Sequence, residues 1–382
     1  MICFDLSEDQ KQIQELARDF SQNEILPKAP HHDQTGEYPL EIIKKAWELG
    51  LTNLAIPESC GGLQFGVMED ALISEEFGAA CTGISTAISA NNLAEAPIIV
   101  GATEEQKQMI LGPMTEECIL GSYCVTEPNA GSDVQGIQST ATKKGNDYVI
   151  NGTKMWITGA GHANWFFVLA YTDKEKGFRG MSAFYVPADT PGITIGKKEQ
   201  NMGQRASDTR EVIFEDVVVP ENYRIGQEGK GWLLAMAAFD HTRPAVAAGA
   251  VGIARAAMEH SARYANERKA FGRPIGKFQG ISFMIADMVK DIEAARLLVW
   301  KACYEKDQGR KNTRFAAIAK VFAADMAMRI TTDAVQVFGG YGYSQEYPVE
   351  KLMRDAKVFQ IYEGTSQVQR IIISRDVLQE YR

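Results

Sequence analysis

The hydrophobic spacing of this chain changes twice, and that change fixes its gross architecture. Up to about residue 117 the apolar residues recur every three or four positions. Ile13, Leu16, Ala17 and Phe20 share one face of a helix that Ser7 opens in a capping box with Gln10, and Thr103 and Gln106 repeat the box ahead of Met109, Ile110 and Leu111. From 118 to 228 the pattern shortens to strand-length runs: Tyr148–Ile150, Lys154–Ile157, Trp165–Ala170, Met181–Val186 and Val212–Phe214. Asn151-Gly152, between the first two, reads as a hairpin turn. From 229 onward, Ala-rich helical runs over 245–267, 281–307 and 314–338 are stopped by Gly272-Arg273-Pro274, Gly309 and Gly339-Gly340. This layout implies an α+β protein. It has an N-terminal helical domain (1–117), a middle β-barrel or sandwich-like domain (118–228) and a C-terminal four-helix bundle (229–382).

At 382 residues the chain exceeds one ordinary core. Its net charge of −9 excludes a general nucleic-acid binder, which needs a positive field against phosphate. No apolar run approaches the ~20 residues of a membrane span, so none is expected. The acidic, amphipathic start MICFDLSEDQ has neither signal-peptide nor transit-peptide character. The six cysteines (Cys3, Cys60, Cys81, Cys118, Cys124, Cys303) form no CxxC pair and the five histidines show no ligand spacing, so neither a metal nor a disulfide framework is expected. Reduced cysteines fit a cytosolic or organellar-matrix enzyme.

Familiar catalytic signatures are missing: no GxGxxG follows a strand, and neither a P-loop nor GxSxG is present. Gly249-Ala250-Val251-Gly252 lies inside a helical run and reads as close helix packing. Tyr123–Asp133, rich in hydroxyls and turn formers, serves equally well as connector or as ligand-binding segment. Trp156-Ile157-Thr158 is either core strand or a wall presenting Thr158 to a flat ring. The most specific stretch is Tyr347–Lys357, followed by Ile361-Tyr362-Glu363-Gly364-Thr365-Ser366-Gln367.

With Cys124-Val125-Thr126-Glu127-Pro128, Asn201-Met202-Gly203-Gln204-Arg205, Asp240-His241-Thr242-Arg243-Pro244 and Tyr362-Glu363-Gly364-Thr365 in that order, the chain resembles the acyl-CoA dehydrogenases. The likeness runs from the first helix to Arg370 and is strongest to the medium-chain group. Any one motif is weak; four in order on a helical–β–helical layout are specific. The resemblance implies an FAD-dependent oxidoreductase of fatty-acid β-oxidation. It would convert a medium-chain acyl-CoA to its trans-2-enoyl-CoA, pass electrons to an electron-transferring flavoprotein and assemble as a homotetramer. It would sit in the mitochondrial matrix if the source is eukaryotic and in the cytoplasm otherwise.

Glu363 matches the family's catalytic base. Removing a proton from a weak carbon acid needs a carboxylate held at the α-carbon in a dry site, with its pKa raised from ~4.3 by desolvation or its substrate acidified. The family would place the thioester oxygen on the Glu363 backbone N–H and a ribityl hydroxyl, an oxyanion-type site. Without that match Glu363 would be a cap acid beside Gly364. Tyr123, Val125, Thr126, Gly131 and Ser132 match the flavin-binding segment, with Ser132 also at the substrate, and Trp156, Ile157 and Thr158 match the wall behind the ring. Arg268, Phe271 and Gln279 match groups that reach a neighbouring subunit's FAD; Gln336, Val337, Gly339 and Gly340 match the adenosine loop; Thr365 and Gln367 complete the cofactor set. Read as isolated residues, Arg268 is a solvated helix charge and Gln336 a helix-terminal polar group. Asp240, Thr242, Arg243, Lys311, Thr313 and Gly364 match substrate positions, Arg243 competing with a plain surface salt bridge.

Three departures accompany the match. Ala270 replaces a frequent Thr, His241 replaces a usual Lys, and the 173–180 loop is short. Two further readings stand beside the dehydrogenase: an acyl-CoA oxidase, disfavoured by length and by the lack of a terminal Ser-Lys-Leu, and a non-catalytic flavin scaffold, disfavoured by Glu363 and the negative charge. A short-chain preference is the alternative on substrate.

Overall fold

A computed structural model describes residues 4–382; Cys3 lies outside them. The N-terminal helices are α1 (Glu8–Phe20), α2 (Ala29–Thr35), α3 (Leu40–Glu48), α4 (Val67–Gly101), α5 (Glu104–Leu111) and α6 (Pro113–Glu116). Both capping boxes form, Ser7 with Gln10 and Thr103 with Gln106. His31 and His32 lie in α2; His32 is buried, with Nδ1 2.8 Å from the Glu37 carbonyl. α4 is two helices joined at Cys81, whose backbone is extended (φ −164°, ψ 110°). The second half turns back along the first, since Asn92 Nδ2 donates to Asp70 Oδ1 at 3.3 Å. In a straight helix those residues would stand about 33 Å apart at ~1.5 Å per residue.

The middle region holds β1 (Gly121–Cys124), β2 (Thr140–Lys144), β3 (Asp147–Thr158), β4 (Trp165–Tyr171), β5 (Met181–Pro187), β6 (Ile193–Lys198), β7 (Thr209–Pro220) and β8 (Arg224–Ile225). The strand order is β6-β7-β3-β2-β4-β5-β8, with β1 parallel to β4. β2 meets β4 through one pair, Thr140 with Tyr171, so the sheet folds there into two halves. Their inner faces meet through Tyr148–Phe184 (5.0 Å between ring centres) and Phe166–Phe214 (6.2 Å). The result is the expected sandwich-like body.

The hairpin expected at Asn151-Gly152 does not form. β3 runs through both residues, and the register with β7 slips between Ile150 and Gly152. Asn151 trades hydrogen bonds with Asp216 across the slip (3.1 and 2.8 Å), and a Cβ on Gly152 would stand 2.1 Å from Ser139 Oγ. Asn-Gly here makes a bulge, where Gly relieves crowding. The reversal occurs at Gly145, φ 62°.

The C-terminal region comprises α7 (Gly231–Glu267), α8 (Gln279–Asp307), α9 (Thr313–Phe338), α10 (Pro348–Ala356) and α11 (Ser366–Glu380), with a short hairpin, β9 (Lys269–Ala270) and β10 (Arg273–Pro274), before α8. α7 begins well before residue 245 because the helix continues through Pro244. α7, α8 and α9 pack on one another, and α11 lies on α9. α4 packs along α7 and contributes Val67 and Ala71 to the same core. The approach is backbone to backbone: a Cβ on Gly78 would lie 2.5 Å from the Gly249 carbonyl, and one on Gly252 would lie 2.1 Å from that of Glu75. Gly252 is therefore a packing device, as expected, and the backbone of Gly249 lies against Gly78.

Among the described residues all five cysteines are free, no three His, Cys, Asp or Glu side chains are grouped to hold a metal, and no helix is long and apolar enough to cross a membrane.

Candidate active site

The sequence motifs converge in space. Asp355, fully buried on α10, accepts from the Gln204 backbone N–H (2.6 Å), the Thr82 hydroxyl (3.1 Å) and Lys351 (2.6 Å). This ties the Asn201–Arg205 loop to the helix leading to Glu363. Arg354 adds bonds to Asp33 (2.8 Å) and the Met202 carbonyl (3.2 Å). The Asp240–Pro244 segment meets the Tyr362–Thr365 segment directly: the Thr242 hydroxyl donates to Glu363 Oε2 at 2.9 Å, and Arg243 Nε donates to the Glu363 carbonyl at 3.1 Å.

Glu363 and Gly364 both have left-handed backbones (φ 50° and 87°). Glu363 has a Cβ to accommodate there, a conformation that persists only when its surroundings fix it. They do. Besides Arg243, Gln369 Nε2 donates to the carbonyls of Glu363 (3.1 Å) and Gly364 (2.9 Å), and Lys320 Nζ donates to that of Gly364 (2.7 Å). Burial pushes the Glu363 carboxyl up to about 7, against the opposing pull of the Thr242 hydrogen bond and the Arg243 and Lys320 charges. Burial also brings the Lys320 ammonium down to about 7.

Glu363 opens onto a cavity. One wall is α7, through Thr242, Ala245, Val246 and Gly249. The facing wall comes from both halves of α4: Asp70 and Ser74 from the first, Ser85, Thr86, Ser89 and Asn92 from the second. Leu93, Tyr362 and Phe359 close the remainder.

Asp240 and Thr313 are brought together, the Thr313 hydroxyl donating to Asp240 Oδ2 at 2.6 Å. Arg243 is buried with its guanidinium over the Phe239 ring, so the surface-salt-bridge reading does not hold. Lys311 lies apart, paired with Asp376 at 2.8 Å. Thr365 caps α11 by accepting from the Val368 N–H; Gln367 is exposed.

The residues matched to the flavin form an open face beside the cavity. The Tyr123 hydroxyl donates to the Ala235 carbonyl at the foot of α7. Val125 and Ile157 are buried, while Gly131 and Ser132 are exposed. Trp156 is not core: it has φ 64° at the second register slip of β3, stands 54% exposed and presents its ring outward, with Thr158 two residues on. Lys154 pins the Tyr123–Ser132 segment from below, with Nζ bonded to the Val125 carbonyl (3.1 Å), the Leu169 carbonyl (2.7 Å) and Glu127 (2.9 Å).

A second group gathers elsewhere. Arg268, Val337, Gly339 and Gly340 line a groove with Tyr264 and Tyr341, which shares no residue with the Glu363 cavity. A Cβ on Gly339 or Gly340 would meet open space. Gln279, Gln336 and Phe271 are exposed, Phe271 almost completely at 96%. An exposed aromatic face flanked by hydroxyls, and a glycine-edged groove with one arginine, fit the ring and the phosphate–adenosine arm of FAD.

Sequence reasoning missed Lys320, Gln369, Asp70, Asn92 and Glu95. Lys320 had a signal: it interrupts the apolar face of Ala316, Ala317, Ala319 and Ala323. The acids had none, because they meet only through the break at Cys81.

Family models for the acyl-CoA dehydrogenase N-terminal, middle and C-terminal domains match residues 7–117, 122–217 and 229–378. A probable medium-chain specific mitochondrial acyl-CoA dehydrogenase 2 of Caenorhabditis briggsae is 49% identical over 99% of this chain and 92% of its own. The butyryl-CoA dehydrogenase structure from Megasphaera elsdenii superposes with a TM-score of 0.96 at 44% identity, covering 99% of this chain and all of that one. A structure described as the electron transferring flavoprotein of Acidaminococcus fermentans matches equally closely, with a TM-score of 0.97, 44% identity and coverage of 99% and 100%. The chain belongs to the acyl-CoA dehydrogenases, an FAD-dependent enzyme family, and has that family's α+β fold.

Proposed function

We propose that this acyl-CoA dehydrogenase acts on an acyl chain of medium length, roughly six to ten carbons, with Glu363 as the base. The observation carrying this reading is the Glu363 carboxyl, fixed by Thr242 at the mouth of the cavity and raised to about 7 by burial. A base with a pKa near the working pH combines a useful ionised fraction with driving force for taking a proton. Arg243, Gln369 and Lys320 hold the backbone beneath it, so the carboxyl is oriented before substrate arrives. Glu363 takes the α-proton. FAD, when bound, supplies the acceptor for the β-hydrogen and its electron pair. Trp156, Thr126 and Thr158 would hold its ring, and Arg268, Gly339 and Gly340 its phosphate–adenosine arm. The medium length rests on the Asp240–Pro244 pattern and the likeness to the C. briggsae protein; the butyryl-CoA relative favours a shorter chain. An electron-transferring flavoprotein is the proposed acceptor, a reading supported by the A. fermentans likeness. A mitochondrial or cytoplasmic site remains our proposal for its location.

Anaerobic addition of hexanoyl- or octanoyl-CoA to the FAD-loaded protein should bleach the flavin; a flavin untouched by any straight-chain acyl-CoA would sink the reading. kcat/KM should rise with pH through an apparent value near 7, because the free enzyme is active only with Glu363 ionised. A profile flat between about pH 5.5 and 8.5 would contradict that role.

We further propose that the Arg268 groove serves a neighbouring protomer's FAD in a homotetramer. The groove is separate from the Glu363 cavity, and Phe271, three residues after Arg268, is almost fully exposed. Arg268→Ala should then make FAD retention steeply dependent on protein concentration. A stable, FAD-loaded monomer of the unmodified protein in light scattering would refute this.

A further inference from the structure

The cavity in front of Glu363 is lined in a way a plain hydrocarbon tail does not explain. Six polar side chains of α4 line it, and one is a carboxylate, Asp70. Asp70 is buried and has no cation partner among the described residues. Its two hydrogen bonds, from the Ser74 hydroxyl and the Asn92 amide, are both long at 3.3 Å and both fall on Oδ1, leaving Oδ2 without a donor. The Asn92 side-chain oxygen is likewise buried with no partner. Behind Asp70 sits Glu95, 1% exposed, with neither carboxyl oxygen hydrogen-bonded. Asp70 and Asn92 therefore present acceptor atoms at the cavity wall that no donor of the described residues meets.

Neighbouring acids elsewhere on α4 are handled differently. Glu75 and Glu76 are just as buried, yet both are met by arginines, Arg296 on the first (2.9 Å) and Arg255 and Arg18 on the second (2.7 and 3.0 Å). Arginines thus meet Glu75 and Glu76, whereas no cation meets Asp70 at the cavity wall. Burial raises both carboxyls, Asp70 to about 6 with the Asp307 charge adding to it, and Glu95 to about 8 with the Asp70 charge adding to it.

We propose that this cavity receives an acyl chain whose far end carries a hydrogen-bond donor, a hydroxyl or an ammonium group, which Asp70 and Asn92 bind. The proposal rests on the dehydrogenase reading above and adds the polarity of the tail. The chemistry at the thioester end is unchanged: Glu363 takes the α-proton, the β-hydrogen leaves to FAD, and the distal group keeps its bonds.

The test compares kcat/KM for hexanoyl-CoA, ω-hydroxyhexanoyl-CoA and ω-aminohexanoyl-CoA on the FAD-loaded protein. At least one substituted chain should exceed hexanoyl-CoA by roughly tenfold, the effect of a hydrogen bond to a charged acceptor. The hydroxyl arm winning identifies a neutral donor and the amino arm a cation. Asp70→Ala should erase the preference; Asp70→Asn should erase it for the amino chain while sparing part of it for the hydroxyl chain. Hexanoyl-CoA equal to or better than both substituted chains in the unmodified protein overturns the proposal, a result that does not depend on the variants folding. That outcome leaves the dehydrogenase reading standing, whereas failure of all three chains to bleach the flavin removes the dehydrogenase reading itself.

Discussion

Glu363→Gln is expected to lower turnover at least ~100-fold while leaving FAD and acyl-CoA binding in place. The amide has the size of the carboxyl and can still accept the Thr242 hydrogen bond, but it cannot take the α-proton. The contacts from Arg243 and Gln369 go to the backbone carbonyl of residue 363 and survive the exchange. The substitution should not weaken the fold. A carboxyl raised to about 7 in the folded protein has its neutral form favoured by folding. Stability linked to it is full below the unfolded value of ~4.3 and declines as pH rises toward 7. The amide removes that decline, so the variant's thermal midpoint should equal or exceed that of the unmodified protein at pH 8. Near-normal anaerobic bleaching of the flavin would rule Glu363 out as base; lost acyl-CoA binding would make it a structural residue.

Lys154→Met is expected to destabilise the protein by roughly 3–5 kcal/mol, the cost of leaving a buried charge without its partner. Lys154 is 0% exposed, and two of its three bonds reach the Tyr123–Ser132 segment while the third ties it to Leu169 of β4. Glu127, its partner, also accepts from the Gln138 and Ser139 backbone (2.5 and 3.0 Å), and the pair holds its carboxyl below the usual range. The linked stability is present above the unfolded ~4.3 and is lost as pH falls through the lower folded value. Denaturant unfolding should show the loss, together with weaker FAD retention as Tyr123–Ser132 loosens. The double variant with Glu127→Met should recover part of the stability, because the buried charge goes, but not all, because Ser139 and Gln138 lose their acceptor. A single variant as stable as the unmodified protein would show that the ammonium is not needed to hold this segment.

The parts of this protein legible in the sequence are those written in local or contiguous residues. The capping boxes at Ser7 and Thr103 depend on four residues each, and both form. Glu363 was legible because its motif carries base, glycine and cap in one run. Asn151-Gly152 misled because the same dipeptide that suits a turn also suits a bulge; the choice was made by Ser139 and Asp216, distant in sequence. Trp156 stayed open between core and ring wall, since an aromatic in a strand is ordinarily inward and only the slip between Lys154 and Ile157 turns it out. The polar cavity wall was illegible altogether. Cys81 is an ordinary residue in an Ala-rich run, and nothing in its neighbours announces the extended backbone that folds α4 on itself.

The glycines between α4 and α7 divide into two kinds. Gly78 and Gly252 leave no room for a methyl group, since their Cβ positions are filled by backbone of the other helix. Gly249 is different: a Cβ there would rest 3.5 Å from the Phe359 ring and 3.8 Å from the Ser74 carbonyl, ordinary contacts, at a position that also forms part of the cavity wall. Two of the three are thus fixed by architecture, while the third is a dial. One added carbon at 249 would trim the space available to a ligand without disturbing how the helices meet. Descent with small changes in ligand size can therefore proceed through this position while the scaffold stays constant.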